Sequence, residues 1–448
     1  MNRTGVFQLA VVVALSVACS EPGDIQPDAG TPDASPGELR PEVYASDRSL
    51  SPVTPYIAAH LRAIAERDPS RRDNVFAKVG GTASVSQNFM HCLDDGYQDP
   101  SPGEQAGAIG LAGRDDLKAT IAHFRDGDAD GDNPYRRLSI AASVGATAAD
   151  ILDGAPNRLD REYAAIEPRF ALILLGVTDL PEGDADSFGS ALLDIADRSI
   201  DAGVIPILAT AMPRTDDAGA TAEVSHYNAI VRAVAQARQV PLIDLYRELV
   251  DVPGQGLGED GVSPSVYRPD TERLPCVFDA SGLEHGYNAR NLLSLQTLDR
   301  LRRVLVADEP APDVAERGML GSGTAADPFI VEQLPFVHAA DTALDGVRVI
   351  DTYDGCQAGQ NEAGPEVTYR LDVAQPTRIR ATVVDRGDTD IDVHVLEGTV
   401  SSEACIARAH KVVAVDLQPG TYYLNLDTFV GNDIERSGEY LLTITEEL

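Results

Sequence analysis

Residues 170–180 read F-A-L-I-L-L-G-V-T-D-L, an apolar run that ends directly in a tight turn from Gly176 to Asp179. A continuous apolar run of this length is typical of a strand buried on both faces, as in parallel sheets covered by helices. In such sheets, ligands bind at the carboxyl ends of the strands. The segment therefore predicts a parallel α/β sheet and places a candidate site at the turn.

The same alternation continues from residue 56 to residue 306, where apolar runs take turns with amphipathic, helix-like segments. Predicted strands cover residues 75–79, 171–175, 204–209 and 240–245, and predicted helices begin near residue 57 and cover residues 190–202, 226–238 and 287–306. Strands that alternate with helices predict βαβ units. We therefore expect an α/β domain over residues 43–306.

The apolar period changes to two beyond residue 323, after a polar linker at residues 307–323. Alternation of apolar and polar residues is typical of strands with one buried face. Five runs show it, at Val367, Tyr369 and Leu371; Ile379, Ala381 and Val383; Ile391, Val393 and Val395; Tyr422, Leu424 and Leu426; and Tyr440, Leu442 and Ile444. Residues 324–448 are therefore predicted to form an all-β sandwich.

The start of the chain has the features of an export signal. Residues 1–18 combine a cationic start with a short apolar run, and the S-V-A-C sequence that ends at Cys19 resembles a bacterial lipobox. This resemblance implies a lipidated Cys19, a disordered tether over residues 19–42, and an outer-membrane or cell-surface lipoprotein. The alternative is an ordinary secretory signal and a periplasmic or secreted protein.

Charge and cysteine content narrow the possible partners and compartments. The net charge of −35 argues against binding to nucleic acid or to an anionic membrane surface, so a membrane contact is expected only through the lipid anchor. Without Cys19, four cysteines remain, an even number that suits an oxidising compartment. Because two fall in each domain, we expect the pairs Cys92–Cys276 and Cys356–Cys405. No C-x-x-C motif or Cys/His cluster accompanies these cysteines, so we expect no metal or cofactor.

Four short segments of the first domain resemble, in the same order, the signature blocks of the SGNH/GDSL hydrolase family. The sequence G-G-T ends at Thr82 where the family has G-D-S, Gly145 matches the second-block glycine, and G-V-T-D matches G-x-N-D with Thr178 at the asparagine. The sequence D-G-V-S-P matches D-x-x-H, with Asp260 as the acid and Ser263 at the histidine.

This resemblance implies a flavodoxin-like parallel sheet with helices on both faces and an ester or acetyl-ester hydrolase site. It also implies that Thr82 takes the nucleophile position and that Gly145 and Thr178 border the oxyanion. Ser263 cannot accept a proton near pH 7 as an imidazole can, and loss of one triad member costs on the order of 10⁴ to 10⁶ in rate. We therefore expect impaired catalysis and a role as a surface module that binds acyl esters or carbohydrates. The alternative is an active esterase that uses Ser84 or Ser86 as a displaced nucleophile and His285 as the base.

Three further segments bear on the second domain and on cations. The ending L-Q-P-G-T-Y-Y-L-N-L-D and S-G-E-Y-L-L-T-I resembles bacterial pre-peptidase C-terminal domains, which are accessory modules of exported enzymes. Residues 126–132 resemble the start of an EF-hand loop but lack its closing glutamate, because Arg137 stands there. The alternate carboxylates of Asp388, Asp390 and Asp392 are open to two interpretations, a solvated strand face or a cation site.

Overall fold

The structure is a computed structural model that describes residues 41–94, 110–315 and 318–447. The predicted signal at residues 1–18, Cys19 and the tether as far as residue 40 lie outside the described residues. No helix in the described part of the chain is both long and apolar enough to cross a membrane.

The first domain is a parallel sheet with covering helices, as predicted. Its helices are α1 (Pro55–Arg67), α2 (Thr82–Val85), α3 (Lys118–Arg125), α4 (Ala148–Leu152), α5 (Arg158–Ile166), α6 (Ala185–Asp201), α7 (Ala218–Ala237), α8 (Leu245–Leu249) and α9 (Gly286–Leu305). Its strands are β1 (Arg72–Gly80), β2 (Pro168–Leu174), β3 (Ile205–Ala209) and β4 (Leu242–Ile243).

The four strands pair in parallel in the order β1-β2-β3-β4. Gly80 also forms a parallel bridge with Ala142, which adds the segment around residue 142 outside β1. With that segment counted second along the chain, the spatial order is the 2-1-3-4-5 of flavodoxin-like sheets. Every residue of β2 and β3 is buried, so both faces of the sheet are covered.

The predicted strand at residues 240–245 is shorter in the structure, where β4 contains only Leu242 and Ile243. Asp244 ends the strand because its carboxylate accepts a hydrogen bond from the Arg247 amide, 3.1 Å away, and so caps α8. The apolar pattern predicted the buried segment but not the helix start inside it.

The second domain is a sandwich of two sheets. Its elements are β5 (Phe329–Val331), β6 (Phe336–Asp341), α10 (Thr342–Asp345), β7 (Glu366–Val373), β8 (Thr377–Asp385), β9 (Ile391–Glu397), β10 (Cys405–Ala409), β11 (Val412–Leu417), β12 (Gly420–Thr428), β13 (Val430–Gly431), β14 (Ile434–Glu435) and β15 (Glu439–Glu446). The sheets have the orders β10-β9-β12-β7-β5 and β11-β8-β15-β6, and β13 pairs with β14. All pairs are antiparallel except β5 with β7.

The five alternating apolar runs of the sequence form the core between these two sheets, as predicted. The outer face of β9 is covered as well, by residues 346–365, which we call the covering loop. Tyr353 of this loop stacks on the His394 ring, with centroids 3.5 Å apart. The disulfide Cys356–Cys405 joins the loop to β10. This pair and Cys92–Cys276 confirm the predicted pairing.

The sandwich packs against α6 and α7 of the first domain. Val337, Val384 and Leu441 of the sandwich belong to the same buried apolar cluster as the core of the α/β domain. A polar rim surrounds this contact, including an ion pair between Arg380 and Glu223 at 2.7 Å. The predicted linker also contacts the first domain, because the Asp313 carboxylate accepts a hydrogen bond from the Val53 amide at 2.6 Å.

Candidate functional site

A pocket of about 230 Å³ lies at the carboxyl ends of the central strands of the parallel sheet. Its apolar lining consists of Ala83, Ala146, Leu174, Leu175, Val177, Met212, Val262 and Pro264. Its other lining residues are Gly81, Thr82, Thr178, Arg214, Ser263 and Tyr287. Three residues of the predicted site, Thr82, Thr178 and Ser263, therefore meet in one pocket although they lie far apart in the sequence.

Thr82 reaches the pocket because β1 ends at a glycine that lies against the neighbouring strand. Gly80 has a φ of 141°, and a Cβ atom there would lie 2.1 Å from the carbonyl oxygen of Leu174. Only glycine fits such a position. The chain then turns into α2, whose first residue is Thr82, with an exposed side chain.

The exposed Gly145 is held against Thr82. The Gly145 amide donates a hydrogen bond to the Thr82 hydroxyl oxygen, with N and Oγ1 3.2 Å apart. Gly145 has a φ of 72°, in the left-handed region that favours glycine. The structure therefore places a backbone donor beside Thr82, the residue that the family resemblance puts at the nucleophile position.

The turn after β2 presents Thr178 to the pocket. The carboxylate of buried Asp179 accepts hydrogen bonds from the Gly176 amide at 3.0 Å and from the Ala148 amide at 2.8 Å. Through these two hydrogen bonds, Asp179 connects the turn to the start of α4. The Thr178 hydroxyl lies close to Gly81, since a Cβ atom at Gly81 would be 3.6 Å from Thr178 Oγ1.

Asp260 organises the loop that carries Ser263. Its Oδ1 accepts hydrogen bonds from the Ser263 amide at 2.8 Å and from the Val262 amide at 3.2 Å. The hydrogen bond with the Ser263 side chain is the main reason why the pKa of Asp260 is lowered. Asp260 thus supports its own loop and does not line the pocket.

The alternative nucleophile Ser84 is buried beneath the pocket. Its hydroxyl donates to the carbonyl oxygen of Val79 at 3.3 Å and accepts from the Arg290 guanidinium at 3.0 Å. Ser86 lies outside the pocket, and its hydroxyl accepts a hydrogen bond from the Asn88 amide at 3.2 Å. This placement argues against an attack by Ser84 on a ligand in the pocket.

The alternative base His285 occupies the N-cap position of α9, where its side chain forms no capping hydrogen bond, and it does not line the pocket. Its Nδ1 is 3.0 Å from the Ser265 hydroxyl oxygen, and Tyr267 packs against its ring. Partial burial lowers its pKa, so the ring is neutral near pH 7. The Ser265 hydroxyl also donates to the Gly256 carbonyl oxygen at 3.0 Å, so this pair fixes the loop to the helix.

Sequence reasoning missed Arg214 and Tyr287 as pocket residues. Arg214 follows β3 by five residues, and position after a strand end was the signal that could have indicated it. Its guanidinium is paired with Asp216 through two hydrogen bonds, of 2.9 and 2.6 Å, and donates to the Val177 carbonyl oxygen at 2.9 Å. The charge of Arg214 is therefore balanced next to the pocket.

Potential metal ligands converge in the sandwich and not in the pocket. Within the described residues, two groups of Asp, Glu and His side chains bring their ligand atoms within 4.8 Å of one another, and both include Asp392. The acidic segment at residues 126–132 forms no such group. Its Asp128 carboxylate instead accepts a hydrogen bond from the Gly131 amide at 2.8 Å.

No protein-family model matches the chain. A search of curated proteins gives no match either. Among solved structures, the chain is similar to a GDSL-like lipase from Bacteroides thetaiotaomicron, at 14% identity and a TM-score of 0.29, over 54% of this chain and 98% of the lipase. It is also similar to the acetylxylan esterase Axe2 from Geobacillus stearothermophilus, at 14% identity and a TM-score of 0.30, over 50% of this chain and 93% of the esterase.

A third similarity is to the pre-peptidase C-terminal domain of a collagenase from Bacillus anthracis, at 14% identity and a TM-score of 0.17. It covers 25% of this chain and 90% of that domain. Identities and TM-scores at this level carry no conclusion about activity.

Proposed function

We propose that the α/β domain binds an uncharged acyl ester or carbohydrate in the pocket at Thr82, Thr178 and Ser263 and does not hydrolyse it efficiently. The single observation that carries the proposal is the chemistry of the pocket lining. Among the described residues that line it, hydroxyl groups and one paired guanidinium are present, but no imidazole and no carboxylate.

A hydroxyl attacks an acyl carbon only when a nearby base removes its proton. The Thr82 hydroxyl is in contact with a backbone amide, Gly145 N, which is a donor and cannot act as that base. The site that the family resemblance assigns to histidine holds Ser263, whose loop Asp260 supports. Missing triad members cost on the order of 10⁴ to 10⁶ in rate, so slow or undetectable turnover is expected.

The same lining suits a neutral ligand. Small-molecule sites are mostly apolar with a few polar groups that fix orientation, and this pocket has that composition. Because Asp216 pairs with Arg214, the pocket offers no free positive charge for an anion. The hydroxyl groups of Thr82, Thr178 and Ser263 can hydrogen-bond to ester, acetyl or sugar oxygens.

Export is part of the proposal. Two disulfides within the described residues support an oxidising compartment. The lipid anchor at Cys19 and the outer-membrane location rest on the sequence resemblance alone. Mass spectrometry of the mature protein tests them, because an acylated Cys19 at its N-terminus is the expected result and an unmodified cleavage product would contradict the anchor.

The test of function measures binding and turnover on the same samples. We expect saturation-transfer NMR to detect 4-nitrophenyl acetate or an acetylated xylo-oligosaccharide on the wild-type protein, while release of product stays at the rate of buffer. Thr82→Val and Thr178→Val keep the side-chain shape but remove hydroxyls, so each should weaken the transfer signal. Ser86→Ala, outside the pocket, is the matched control.

A gain-of-function variant tests whether the pocket residues have been assigned to the correct positions. If the loops are arranged for hydrolysis, then Thr82→Ser, Thr178→Asn and Ser263→His together should produce measurable esterase activity and labelling by a fluorophosphonate probe. Wild-type turnover that Thr82→Val abolishes would refute the proposal in favour of an active esterase. A folded triple variant without activity would refute the assignment of these positions.

A further inference from the structure

The outer face of β9 carries a group of buried polar side chains that the pocket does not use. Glu362 comes from the covering loop, and Asp392 and His394 come from β9. Glu362 and His394 are fully buried and Asp392 is almost so. Three ligand atoms, one from each residue, lie within 4.8 Å of one another.

Two of these side chains have no hydrogen-bond partner among the described residues. Within 3.5 Å, neither ring nitrogen of His394 and neither carboxylate oxygen of Glu362 has a hydrogen-bond partner of normal geometry. Buried polar groups are nearly always satisfied, and each exception costs about 1–3 kcal/mol. An imidazole and a carboxylate that are buried within 4.8 Å of each other without such partners indicate that a ligand belongs between them.

The buried charges around the group favour a cation. Glu366 and Asp427 lie under the same loop, so four carboxyl groups are buried there, and the Arg408 guanidinium contacts two of them, those of Asp392 and Glu362. Arg408 is 2.8 Å from Asp392 but 3.8 Å from Glu362.

We propose that Glu362, Asp392 and His394 bind one divalent transition-metal ion of the Zn²⁺ class and thereby tie the covering loop to β9. Imidazole together with carboxylate is a ligand set for zinc and related ions, whereas calcium takes oxygen ligands only. Three protein ligands leave a fourth position of the tetrahedron open, and the Glu362 carboxylate has a second oxygen that can occupy it.

The neighbouring group of Asp390, Asp392 and His410 makes a useful contrast. His410 Nδ1 lies 3.1 Å from a carboxylate oxygen of Asp390 and 3.1 Å from one of Asp392, so these atoms satisfy one another without a metal. The His410 side chain is also exposed. His410 therefore serves as the comparison position, because it supports the ligand Asp392 without being a ligand itself.

The experiment uses the full chain without a histidine tag, stripped with a chelator and dialysed against Zn²⁺ alone. We expect one equivalent of bound zinc by elemental analysis, a higher Tm with Zn²⁺ than with Ca²⁺, and visible absorption bands when Co²⁺ replaces zinc. His394→Asn and Glu362→Gln should each lower the affinity by more than the roughly 10- to 100-fold that follows loss of a residue which only supports a metal ligand. His410→Asn should leave the stoichiometry at one.

The wild-type measurements decide the question even if the variants fold poorly. Binding of well under one equivalent of Zn²⁺ and no Co²⁺ bands would overturn the proposal. A Tm increase with Ca²⁺ and none with Zn²⁺ would overturn it as well, since the site would then be one for a hard cation. Loss of binding in His410→Asn with retention in His394→Asn would move the site to the other group.

Discussion

Lys78 is a buried cation in β1, four residues before Thr82. Its ammonium nitrogen contacts the carbonyl oxygens of Tyr135 at 2.6 Å and Phe89 at 3.4 Å. Burial, and secondarily the nearby Arg290, lower its pKa to about 7. In the unfolded chain the lysine keeps its ordinary value of 10.5. Between these two values the unfolded chain binds a proton that the folded protein does not hold.

The stability of the protein should therefore rise with pH from about 7 to about 10 through Lys78. Each pH unit in this window adds up to about 1.4 kcal/mol to the free energy of unfolding, and the gain is lost as pH falls to the folded pKa. In Lys78→Met this contribution is absent, so the stability difference between wild type and variant should change with pH. Urea unfolding at pH 7, 8 and 9 measures it. A constant difference would contradict the assignment, and Lys118→Met, at a solvent-accessible ion pair, is the control.

Arg290 shows how residues outside the pocket hold its rim in place. It is buried, stacks over the Phe89 ring at 3.6 Å, and donates to the Ala83 carbonyl oxygen and to Ser84. No local pattern connects α9 with α2, because the two contacting residues are 207 positions apart in the chain. Such contacts depend on the three-dimensional course of the chain and not on a local pattern.

At the level of elements, α6 approaches the sandwich through a glycine. A Cβ atom at Gly189 would lie 2.8 Å from both Cγ atoms of Val384 in β8 and 3.1 Å from Ile230 in α7. Glycine inside a helix costs about 0.5–1 kcal/mol relative to alanine. Close packing between α6 and β8 is the reason for keeping it here.

Gly189→Ala should destabilise the protein by about 1–3 kcal/mol, because the added methyl group overpacks the contact with Val384. The matched control is Gly219→Ala in α7, an exposed position where the methyl group approaches only the Asp217 side chain. This control should be neutral or slightly stabilising, since alanine favours the helix. Thermal unfolding of both variants gives the comparison. Equal effects at the two positions would show that helix propensity alone decides.

The disulfide Cys356–Cys405 supports the covering loop over a separation of 49 residues. By the chain-entropy model, a loop of this length accounts for up to about 4 kcal/mol. Cys356→Ala together with Cys405→Ala should lower Tm and make residues 346–365 sensitive to protease before the rest of the sandwich. Limited proteolysis followed by mass spectrometry locates the first cut. A first cut in the α/β domain would contradict the role given to the loop.

The predicted elements were those with a strong local period. The stripe of Val367, Tyr369 and Leu371 predicted a strand with one buried face, and the apolar run of β2 predicted a strand covered on both faces. Edge strands such as β10 and β11 lack a clear alternation of apolar and polar residues. The covering loop is buried because its residues Tyr353 and Glu362 contact β9, which lies some thirty to forty residues further along the chain. The order of the motif blocks indicated a common site for Thr82, Thr178 and Ser263. Arg214 also lines this pocket, but the turn after β3 that carries it matches no motif.

At the scale of the whole molecule, a charge network fastens the sandwich to α6 and α7. Arg238 binds both Asp197 and Glu439, and Arg386 binds the same two carboxylates. Burial alone would raise the pKa of Asp197 and of Glu439, but hydrogen bonds from the two arginines lower both. Carboxylates with lowered pKa values contribute stability above their unfolded values of 3.8 and 4.5.

The two domains should therefore unfold in one thermal transition near pH 7. The stability that these carboxylates contribute should fall as the pH drops below about 5, because the unfolded chain takes up protons there that the paired carboxylates do not bind. Glu439→Gln should lower stability by about 1–2 kcal/mol, since it leaves two partly buried arginines short of a partner. Asp416→Asn, in an exposed pair with Arg378, should change it little. Calorimetry at pH 7 and pH 4 tests both. Two separate transitions at pH 7 would contradict a coupled contact.

The sandwich supplies none of the described residues that line the pocket, yet it is fixed to the back of the same domain by α6 and α7. Any molecule that the sandwich binds would therefore be held at a fixed distance and orientation relative to the opening of the pocket. The contact with α6 and α7 fixes the sandwich relative to the α/β domain, so the direction in which the pocket opens is set when the chain folds.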